Sequence, residues 1–437
     1  MQTKKTNSFV FCLLSFVLIL FSFFLFLFSC ERSTAPDYNP QNLQLQVLDV
    51  SCTEAWLSLK AKNDYLNKTL KLFQDDSLKL EKKLTTEDSI LFVENLWPNT
   101  SYQFQVTIYD GNKLIAKSST VTATTMDTTS HDFTWQTFEF GGQGGSSSFY
   151  DVAIIDENDI WAVGEIYTTD DKYNAAHWNG EKWELKKIKT NACGGVVFPP
   201  IKTVYAFSNS DIIFGHIDAS ITKYNGATFI NDCSFIKQIN GSINKIWGTS
   251  SSDLYVVGNS GLIAHYDGQQ WQRIESGTDE KINDIWGIVK ENRETIYCVY
   301  GKVLSHSNPG ILKIEKNKSI KIAWPYDWRD PHSVWFDNPN LIFVAGSDIE
   351  LKAYSNSWRI IKDFKYYLRR IRGNSKNDMF IAGDYGFLTH FNGINWFTYE
   401  SNNNNKIYWS LDFKEDVTVA VGDFGGRVAI IKIGFRD

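Results

Sequence analysis

Three histidines are the first residues whose chemistry and spacing suggest a site, since imidazole is a common metal ligand. His177, His265 and His390 each directly precede an aromatic residue that is followed by Asn or Asp and then Gly. The shared surroundings mark them as equivalent positions of a repeated unit, and a ring of such units holds equivalent positions apart. We therefore predict a structural role for these histidines and no metal site.

Four aspartates recur in the same way. Asp159, Asp211, Asp253 and Asp378 each stand at a turn just before an apolar run. Aspartate bonds its own backbone at such turns, so the repeat accounts for these residues without a catalytic role. The sequence also has no Gly-rich phosphate loop, nucleophile elbow or zinc-binding helix motif. It therefore predicts no catalytic residue, no metal and no cofactor.

The element that positions these residues is a repeated segment, which is clearest in residues 243–271 and 368–396. Both copies hold an Asp, a Gly, a second Gly and a Trp that are five, ten and three positions apart in turn. Short apolar runs rich in Val, Ile and aromatics alternate with Ser, Asn, Asp and Gly turns in each copy. This pattern is typical of antiparallel strands joined by hairpins.

A six-residue signature, apolar-x-x-apolar-aromatic-small, begins each repeat and can be placed seven times. Its fifth positions are Ala153, Tyr205, Trp247, Trp286, Trp335, Arg372 and Asp412, separated by 37 to 52 residues. The repeats resemble bacterial propeller repeats that end in an aromatic-Asn/Asp-Gly-x-x-Trp turn, found here at 178–183, 266–271 and 391–396. The resemblance implies an all-β protein with a seven-bladed β-propeller over residues 133–437, and it implies little about activity.

The last repeat lacks a fourth strand of the kind that carries a Trp in the other copies. A strand with this Trp, residues 133–138 with Trp135, lies just before the first repeat. Pairing of the two would close the ring and cover an exposed sheet edge. We therefore predict that the N-terminal strand completes the last blade.

The two variable positions of each signature begin an innermost strand, near one mouth of the central channel. They are Tyr150-Asp151, Lys202-Thr203, Asn244-Lys245, Asn283-Asp284, His332-Ser333, Arg369-Arg370 and Trp409-Ser410. This polar set of mixed charge is the candidate binding rim, and the alternative is a solvated rim without a ligand. If the rim binds an anion, neutralising Lys202, Lys245, Arg369 and Arg370 should weaken binding and leave stability unaltered.

Residues 43–126 show short period-two runs separated by polar turns, which predict a small β-sandwich. The segment resembles a fibronectin type III domain through Trp56 and through a Leu-x-Pro-x-Thr-x-Tyr corner formed by Leu96, Pro98, Thr100 and Tyr102. The resemblance implies that the Tyr102 hydroxyl ties its strand to the preceding loop. The family's Arg-Gly-Asp is absent, so we expect a spacer or docking module.

Residues 1–29 form a predicted signal peptide, with Lys4 and Lys5 ahead of an apolar run at 9–28. The run ends in Leu27-Phe28-Ser29-Cys30, which resembles a bacterial lipobox and implies that Cys30 becomes the lipidated N-terminus of a tether at 30–42. The alternative is an uncleaved signal anchor, because the run is long enough to span a bilayer. We expect a lipoprotein of the cell envelope, in the outer membrane.

An exported protein meets an oxidising compartment, so its cysteines can form disulfides. Cys193 and Cys233 flank one repeat and are the expected pair, and two buried free thiols are the alternative. A formal net charge of -6 argues against nucleic acid as a partner.

We therefore expect a non-catalytic, membrane-anchored lipoprotein whose propeller binds a protein or a glycan. One alternative is an enzyme acting on extracellular polysaccharide, which needs two carboxylates facing each other across the channel mouth. Asp151 and Asp284 are the only acids of the rim. A scaffold component of a cell-envelope assembly is the other alternative.

Replacing Cys30 by Ala should leave the protein without lipid, because only a thiol at this position can accept the diacylglycerol. Metabolic labelling with a fatty-acid analogue measures the effect. Cys12→Ala, a change inside the apolar run, is the control and should stay labelled. Labelling that persists in Cys30→Ala would contradict the lipobox.

Overall fold

The computed structural model describes residues 42–191, 196–239, 241–301, 308–326, 329–354, 357–401, 403 and 405–437. The predicted leader, Cys30, most of the tether and Cys193 lie outside these residues. Contacts between Cα atoms divide the described chain into two compact units, one of which comprises residues 42–46, 58–89 and 103–121. The other unit comprises residues 47–57, 90–102 and 122–437.

The N-terminal region consists of strands that form two sheets. The strands are β1 (Leu43–Val50), β2 (Ala55–Ala61), β3 (Thr69–Gln74), β4 (Ser77–Lys83), β5 (Asp88–Val93), β6 (Ser101–Asp110), β7 (Lys113–Lys117) and β8 (Val121–Thr124), with a 3-10 helix at Asn63–Tyr65. One sheet has the order β1-β2-β5 and the other the order β4-β3-β6-β7, with β8 also paired to β6. Tyr102, Phe104 and Val106 alternate with more exposed residues along β6, as expected for a strand with one buried face.

Seven four-stranded antiparallel sheets, here called blades 1 to 7, account for most of the rest of the described chain. A strand β9 (Phe133–Gly141) precedes them. Blade 1 has β10 (Ser148–Asp156), β11 (Asp159–Tyr167), β12 (Lys172–Trp178) and β13 (Trp183–Lys186), and a short pair, β14 (Thr190–Asn191) and β15 (Val196–Val197), follows it. Blade 2 has β16 (Ile201–Ser208), β17 (Asp211–His216), β18 (Ile221–Tyr224) and β19 (Phe229–Asp232), followed by the helix α1 (Ser234–Gln238).

The remaining blades repeat this order. Blade 3 has β20 (Ile243–Ser250), β21 (Asp253–Gly258), β22 (Ile263–Tyr266) and β23 (Trp271–Arg273), and blade 4 has β24 (Ile282–Lys290), β25 (Arg293–Tyr300), β26 (Gly310–Glu315) and β27 (Lys318–Ile322). Blade 5 has β28 (Pro331–Asn338), β29 (Leu341–Gly346), β30 (Ile349–Ala353) and β31 (Trp358–Lys362), and blade 6 has β32 (Leu368–Ser375), β33 (Asp378–Gly383), β34 (Leu388–Phe391) and β35 (Trp396–Glu400). Blade 7 has β36 (Lys406–Lys414), β37 (Val417–Phe424), β38 (Val428–Arg436) and, as its fourth strand, β9. In the described part of the chain no helix is long and apolar enough to cross a membrane.

The aromatic-Asn/Asp-Gly motif forms the turn between the third and fourth strands of a blade. Asn179 Oδ1 accepts the backbone N–H groups of Glu181 and Lys182 at 3.1 and 3.0 Å. Asp267 and Asn392 make the same pair of bonds in blades 3 and 6. The Gly that follows has a φ near +90° in these turns, a conformation that residues with a Cβ rarely adopt. The motif is therefore explained by backbone geometry.

The aromatic-small end of the signature holds neighbouring blades together. Each innermost strand contacts the innermost strand of the next blade, and β36 contacts β10, so these strands form a closed ring. Trp247 of blade 3 lies against Gly287 of blade 4, where a Cβ would come within 2.5 Å of the indole ring. Trp335 of blade 5 lies against Gly373 of blade 6 in the same way. The large residue of one blade thus needs the small residue of the next.

Strand β9 closes the ring from the N-terminal side. It pairs antiparallel with β38 from Gly141 opposite Val428 to Phe133 opposite Arg436. Phe138 and Phe140 pack on the core between blades 7 and 1. This is the pairing predicted from the Trp that the last repeat lacks.

Deleting residues 133–140 should abolish the cooperative unfolding transition of the ring. The deletion removes a full ladder of hydrogen bonds and exposes the edge of β38. Thermal melting followed by circular dichroism measures the effect, and a deletion of residues 31–40 serves as the control, with an unaltered melt expected. An unaltered melt after the first deletion would mean that the ring does not depend on β9.

Candidate functional site

All seven innermost strands carry a β-bulge at the first variable position of the signature. The pairing with the second strand skips Tyr150, Lys202, Asn244, Asn283, His332, Arg369 and Trp409. A bulge bends its strand and re-aims the side chain of the extra residue. Because all seven bulges lie at the same end of the innermost strands, these residues meet at one mouth of the channel. We call them the mouth ring.

The bulge explains a recurrent glycine of the second strand. A Cβ on Gly258 would lie 1.8 Å from the backbone oxygen of Ser242, and one on Gly383 would lie 2.3 Å from that of Tyr367. The bent innermost strand thus approaches the second strand too closely for any side chain. In several blades the side chain of the residue after this glycine accepts a hydrogen bond from a mouth-ring residue. These contacts are Tyr150 Oη to Glu165 at 2.6 Å, Asn244 Nδ2 to Asn259 at 2.9 Å, Arg369 Nε to Asp384 at 2.7 Å and Trp409 Nε1 to Asp423 at 2.6 Å.

Cations of three alternate blades gather at this mouth. Lys202 Nζ lies 4.1 Å from the centre of the Tyr150 ring, and the Arg369 guanidinium lies 4.8 Å from that of Trp409. Lys281, directly before β24, is the third cation. Within the described residues, neither Lys202 nor Lys281 has a carboxylate at ion-pair distance.

Positive charge is concentrated around Lys281 and His332. Burial, followed by the charges of Lys202, Arg369 and Arg370, lowers the pKa of Lys281 to about 8. Burial and the charges of Arg369 and Lys281 also hold the pKa of His332 well below its usual value. Each neighbouring charge thus makes a further positive charge less favourable. An anionic group bound here would relieve this repulsion.

The second residue of each predicted pair does not belong to a solvated rim, and here the structure corrects the prediction. Asp151, Thr203, Lys245, Asp284, Ser333, Arg370 and Ser410 are all buried, with at most 7% of their surface exposed. The bulge accounts for the difference, because it turns one residue of the pair toward the mouth and the next into the ring. Lys245 and Arg370 are therefore unsuited to bind a partner, and neutralising them should alter stability.

The buried residues form a network of charges, which we call the charge cluster. Asp151 of blade 1 accepts two hydrogen bonds from Lys245 Nζ of blade 3, at 2.6 and 2.7 Å. Asp284 of blade 4 accepts bonds from Arg372 of blade 6 at 2.9 and 3.0 Å, and Arg370 Nη1 lies 2.5 Å from the same carboxylate. These ion pairs join blades that are not neighbours in the ring.

Hydroxyl groups complete the bonding of the cluster. Thr203 and Ser410 donate to Asp151 at 2.7 Å each, and Ser333 donates to Asp284 at 2.6 Å. Burial by itself would raise the pKa of Asp151, but the charges of Lys245 and Arg370 outweigh it and hold that pKa below its usual value. Burial would also raise the pKa of Asp284, but the charges of Arg370 and Arg372 outweigh burial and hold that pKa far below its usual range. Both carboxylates are therefore ionised and sealed from solvent.

Each of the three repeated histidines is hydrogen-bonded to one of the repeated aspartates. The Nε2 atoms of His177, His265 and His390 lie 2.8, 2.7 and 2.8 Å from carboxylate oxygens of Asp159, Asp253 and Asp378. Each imidazole also stacks on the aromatic side chain opposite it on the second strand, which is Trp161, Tyr255 or Phe380. We expected these aspartates to bond only their own backbone, and in blades 1, 3 and 6 they hold a histidine instead. In the described chain no group of three or more His, Cys, Asp or Glu side chains could hold a metal.

The cysteines differ in state. Cys233 is disulfide-bonded, and Cys193, its predicted partner, lies outside the described residues. Cys52 and Cys298 are buried free thiols.

Comparison with known proteins supports the fold. No protein-family model matches the chain, and no curated protein is similar to it in sequence. A solved structure titled "YCF48 bound to D1 peptide" matches with a TM-score of 0.51 and 14% sequence identity, covering 69% of this chain and 95% of that one. At this identity the likeness concerns the fold alone, and the class it defines is that of the β-propellers.

Sequence reasoning missed Lys281 and the mouth partners Glu165, Asp384 and Asp423. Lys281 stands one residue before the signature, and the acids directly follow the recurrent glycine of the second strand. A search for polar residues at these two fixed offsets would have found them. Which residue of each pair enters the buried charge cluster had no such signal, because it depends on the bulge.

Replacing Asp284 by Asn should lower the free energy of unfolding by about 3–5 kcal/mol, since it leaves two buried guanidinium groups without their counter-charge. Chemical denaturation measures the loss. Asp384→Asn is the matched control, because it also removes a carboxylate bonded to an arginine but at the partly exposed mouth. There the expected loss is about 1 kcal/mol or less. Equal losses in the two variants would contradict a sealed cluster.

Proposed function

We propose that this protein is a non-catalytic lipoprotein of the bacterial cell envelope, anchored through lipid on Cys30, whose propeller binds an acidic segment of a partner protein at the mouth ring. The observation that carries the proposal is the gathering of Lys202, Lys281 and Arg369 at one mouth of the channel. The first two have no carboxylate at ion-pair distance in the described residues. Like charges held together at one site strengthen the field on an incoming anion.

Aromatic side chains support a peptide as the ligand. Tyr150, Tyr367 and Trp409 lie beside the cations, so the mouth offers flat apolar surface next to charge. This combination is common at protein-binding sites. The similar propeller was solved with a peptide bound, which favours this class of ligand without identifying it. Outer-membrane localisation, on either face, is part of the proposal.

The N-terminal region is proposed to be a fibronectin type III-like spacer, and the ring a seven-bladed propeller. The strand orders β1-β2-β5 and β4-β3-β6-β7 support the first assignment. So does the Tyr102 hydroxyl, which accepts the backbone N–H of Trp97 at 2.8 Å, the bond expected of the tyrosine corner. The ring of innermost strands supports the second assignment.

The two acids of the predicted rim, Asp151 and Asp284, do not favour an enzyme acting on polysaccharide. A glycosidase needs one carboxyl group with a raised pKa and access to the substrate. Asp151 and Asp284 are almost fully buried, and their pKa values are lowered because cations hold them.

The proposal predicts that Lys202→Gln/Lys281→Gln weakens binding of an acidic peptide roughly tenfold, about 1.4 kcal/mol. Fluorescence anisotropy of labelled hexaglutamate with the full chain in detergent measures the affinity, with hexaglutamine as the uncharged probe. Lys186→Gln/Lys187→Gln is the control, because these lysines already pair with Glu184 and Asp171.

The affinity for the acidic peptide should also fall from about pH 7 to about pH 9, because Lys281 loses its proton in this range. Lys281→Arg should remove this fall, because Arg stays charged.

Equal weakening by both double variants would mean that any surface lysine attracts the probe. Unchanged binding in Lys202→Gln/Lys281→Gln would exclude the mouth as the site.

A further inference from the structure

A second opening of the channel lies on the other side of the charge cluster from the mouth ring. It is a cavity of about 200 Å³, lined by the third to sixth signature positions of several blades. We call it the floor cavity. Its polar and aromatic lining residues are Tyr205, Lys245, Trp247, Trp286, Arg372, Asp412, Phe413 and Lys414. Its volume corresponds to about seven water molecules at about 30 Å³ each, which is the size of a single sugar ring and too small for a folded peptide segment.

Asp412 offers hydrogen-bond acceptors to this cavity. One carboxylate oxygen accepts the backbone N–H of Ile154 at 2.8 Å and the other that of Phe413 at 2.9 Å. Each oxygen keeps a lone pair, and in the described residues no cation lies at ion-pair distance from Asp412. The residue retains some solvent exposure, as expected for a side chain that faces a cavity. Two parallel free acceptors of this kind suit neighbouring hydroxyl groups.

The charges around the cavity argue against an ionic ligand. Among the buried and half-buried groups, Lys245, Arg370 and Arg372 supply three positive charges, and Asp151, Asp284 and Asp412 supply three negative ones. Lys414 lines the cavity as an exposed residue and donates to the backbone oxygen of Ile155. The buried set is therefore balanced. A bound ion would leave one charge uncompensated in a site with little water, whereas a neutral polar ligand would not.

The aromatic residues supply apolar surface. Trp286 donates its Nε1–H to the backbone oxygen of Phe336 at 3.0 Å, so its polar atom is already bonded. Trp247 is only 4% exposed because its ring packs against Gly287, so it forms part of the wall of the cavity and offers little surface to a ligand. Tyr205 adds a second ring. Rigid aromatic surface beside hydrogen-bonding groups matches the two faces of a sugar, whose C–H groups are apolar and whose hydroxyls are polar.

We propose that the floor cavity is a second site, independent of the mouth ring, that binds one neutral sugar unit. Asp412 accepts hydrogen bonds from two adjacent hydroxyl groups, and Tyr205 and Trp286 cover the apolar face of the ring. The unit is either a free monosaccharide or the terminal residue of a glycan, since both present the same chemistry to the cavity.

Titration of the full chain with neutral monosaccharides tests the proposal, because Trp247 and Trp286 make the intrinsic fluorescence sensitive to binding. Glucose, galactose, mannose and N-acetylglucosamine are the probes, and glucuronate and choline are their charged counterparts. At least one neutral sugar should give a saturable signal that neither ion gives. Asp412→Asn should weaken it at least tenfold. Oligosaccharides that end in the same sugar distinguish the two sources, since only a glycan-terminus site would bind them as well.

A second variant tests the same cavity independently, in case Asp412→Asn does not fold. Ala153→Leu fills part of the cavity without touching any charge and should also abolish the signal. Lys202→Gln, at the mouth ring, should leave sugar binding unaltered and thus separates this proposal from the proposed function. The proposal is overturned if no neutral sugar binds up to about 50 mM, if only the ions bind, or if both cavity variants bind as the parent chain does.

Discussion

The ion pairs at the centre of the ring are the interaction on which the rest of the structure depends. Asp151 and Asp284 bind cations from blades two positions away, so the cluster joins parts of the chain that are distant in sequence. Charges in a protein interior are stable only when each has a well-placed partner. A shift of one blade would leave such a charge unpaired. The cluster therefore favours one arrangement of the innermost strands over alternatives with equally good apolar packing.

The charge cluster also divides the channel into two separate openings. On one side lies the mouth ring, where Lys202 has no carboxylate at ion-pair distance in the part of the chain that the structure describes. On the other side the fifth signature positions surround the floor cavity with aromatic surface and the carboxylate of Asp412. The two openings differ in charge and in size, so they suit different ligands. The two binding sites that we propose are therefore separated by the charge cluster.

The recurrent residues of the repeats are explained by packing and backbone geometry. Aromatic residues such as Trp247 recur because they pack on a small residue of the next blade. Asp253 recurs with His265 because the two side chains bond each other across strands, and Gly258 recurs because the bulge leaves no space for a Cβ. The residues that we propose for binding lie instead at positions that differ between blades, such as Lys202 and Arg369. In a repeat protein, variation between copies is the better guide to a site than repetition.

Much of the architecture was determined by sequence pattern alone, because strand period, turn chemistry and blade spacing are local properties. The repeated strands, the Asn-Gly turns and the pairing of β9 with β38 all follow from such local features. The site was only partly predictable. The sequence identified the residues at the start of the innermost strands, but not which residue of each adjacent pair enters the buried charge cluster. Only the tertiary structure decided that Lys202 faces the mouth while Lys245 is buried against Asp151, because a bulge depends on pairing with a second strand and an ion pair on the meeting of distant blades.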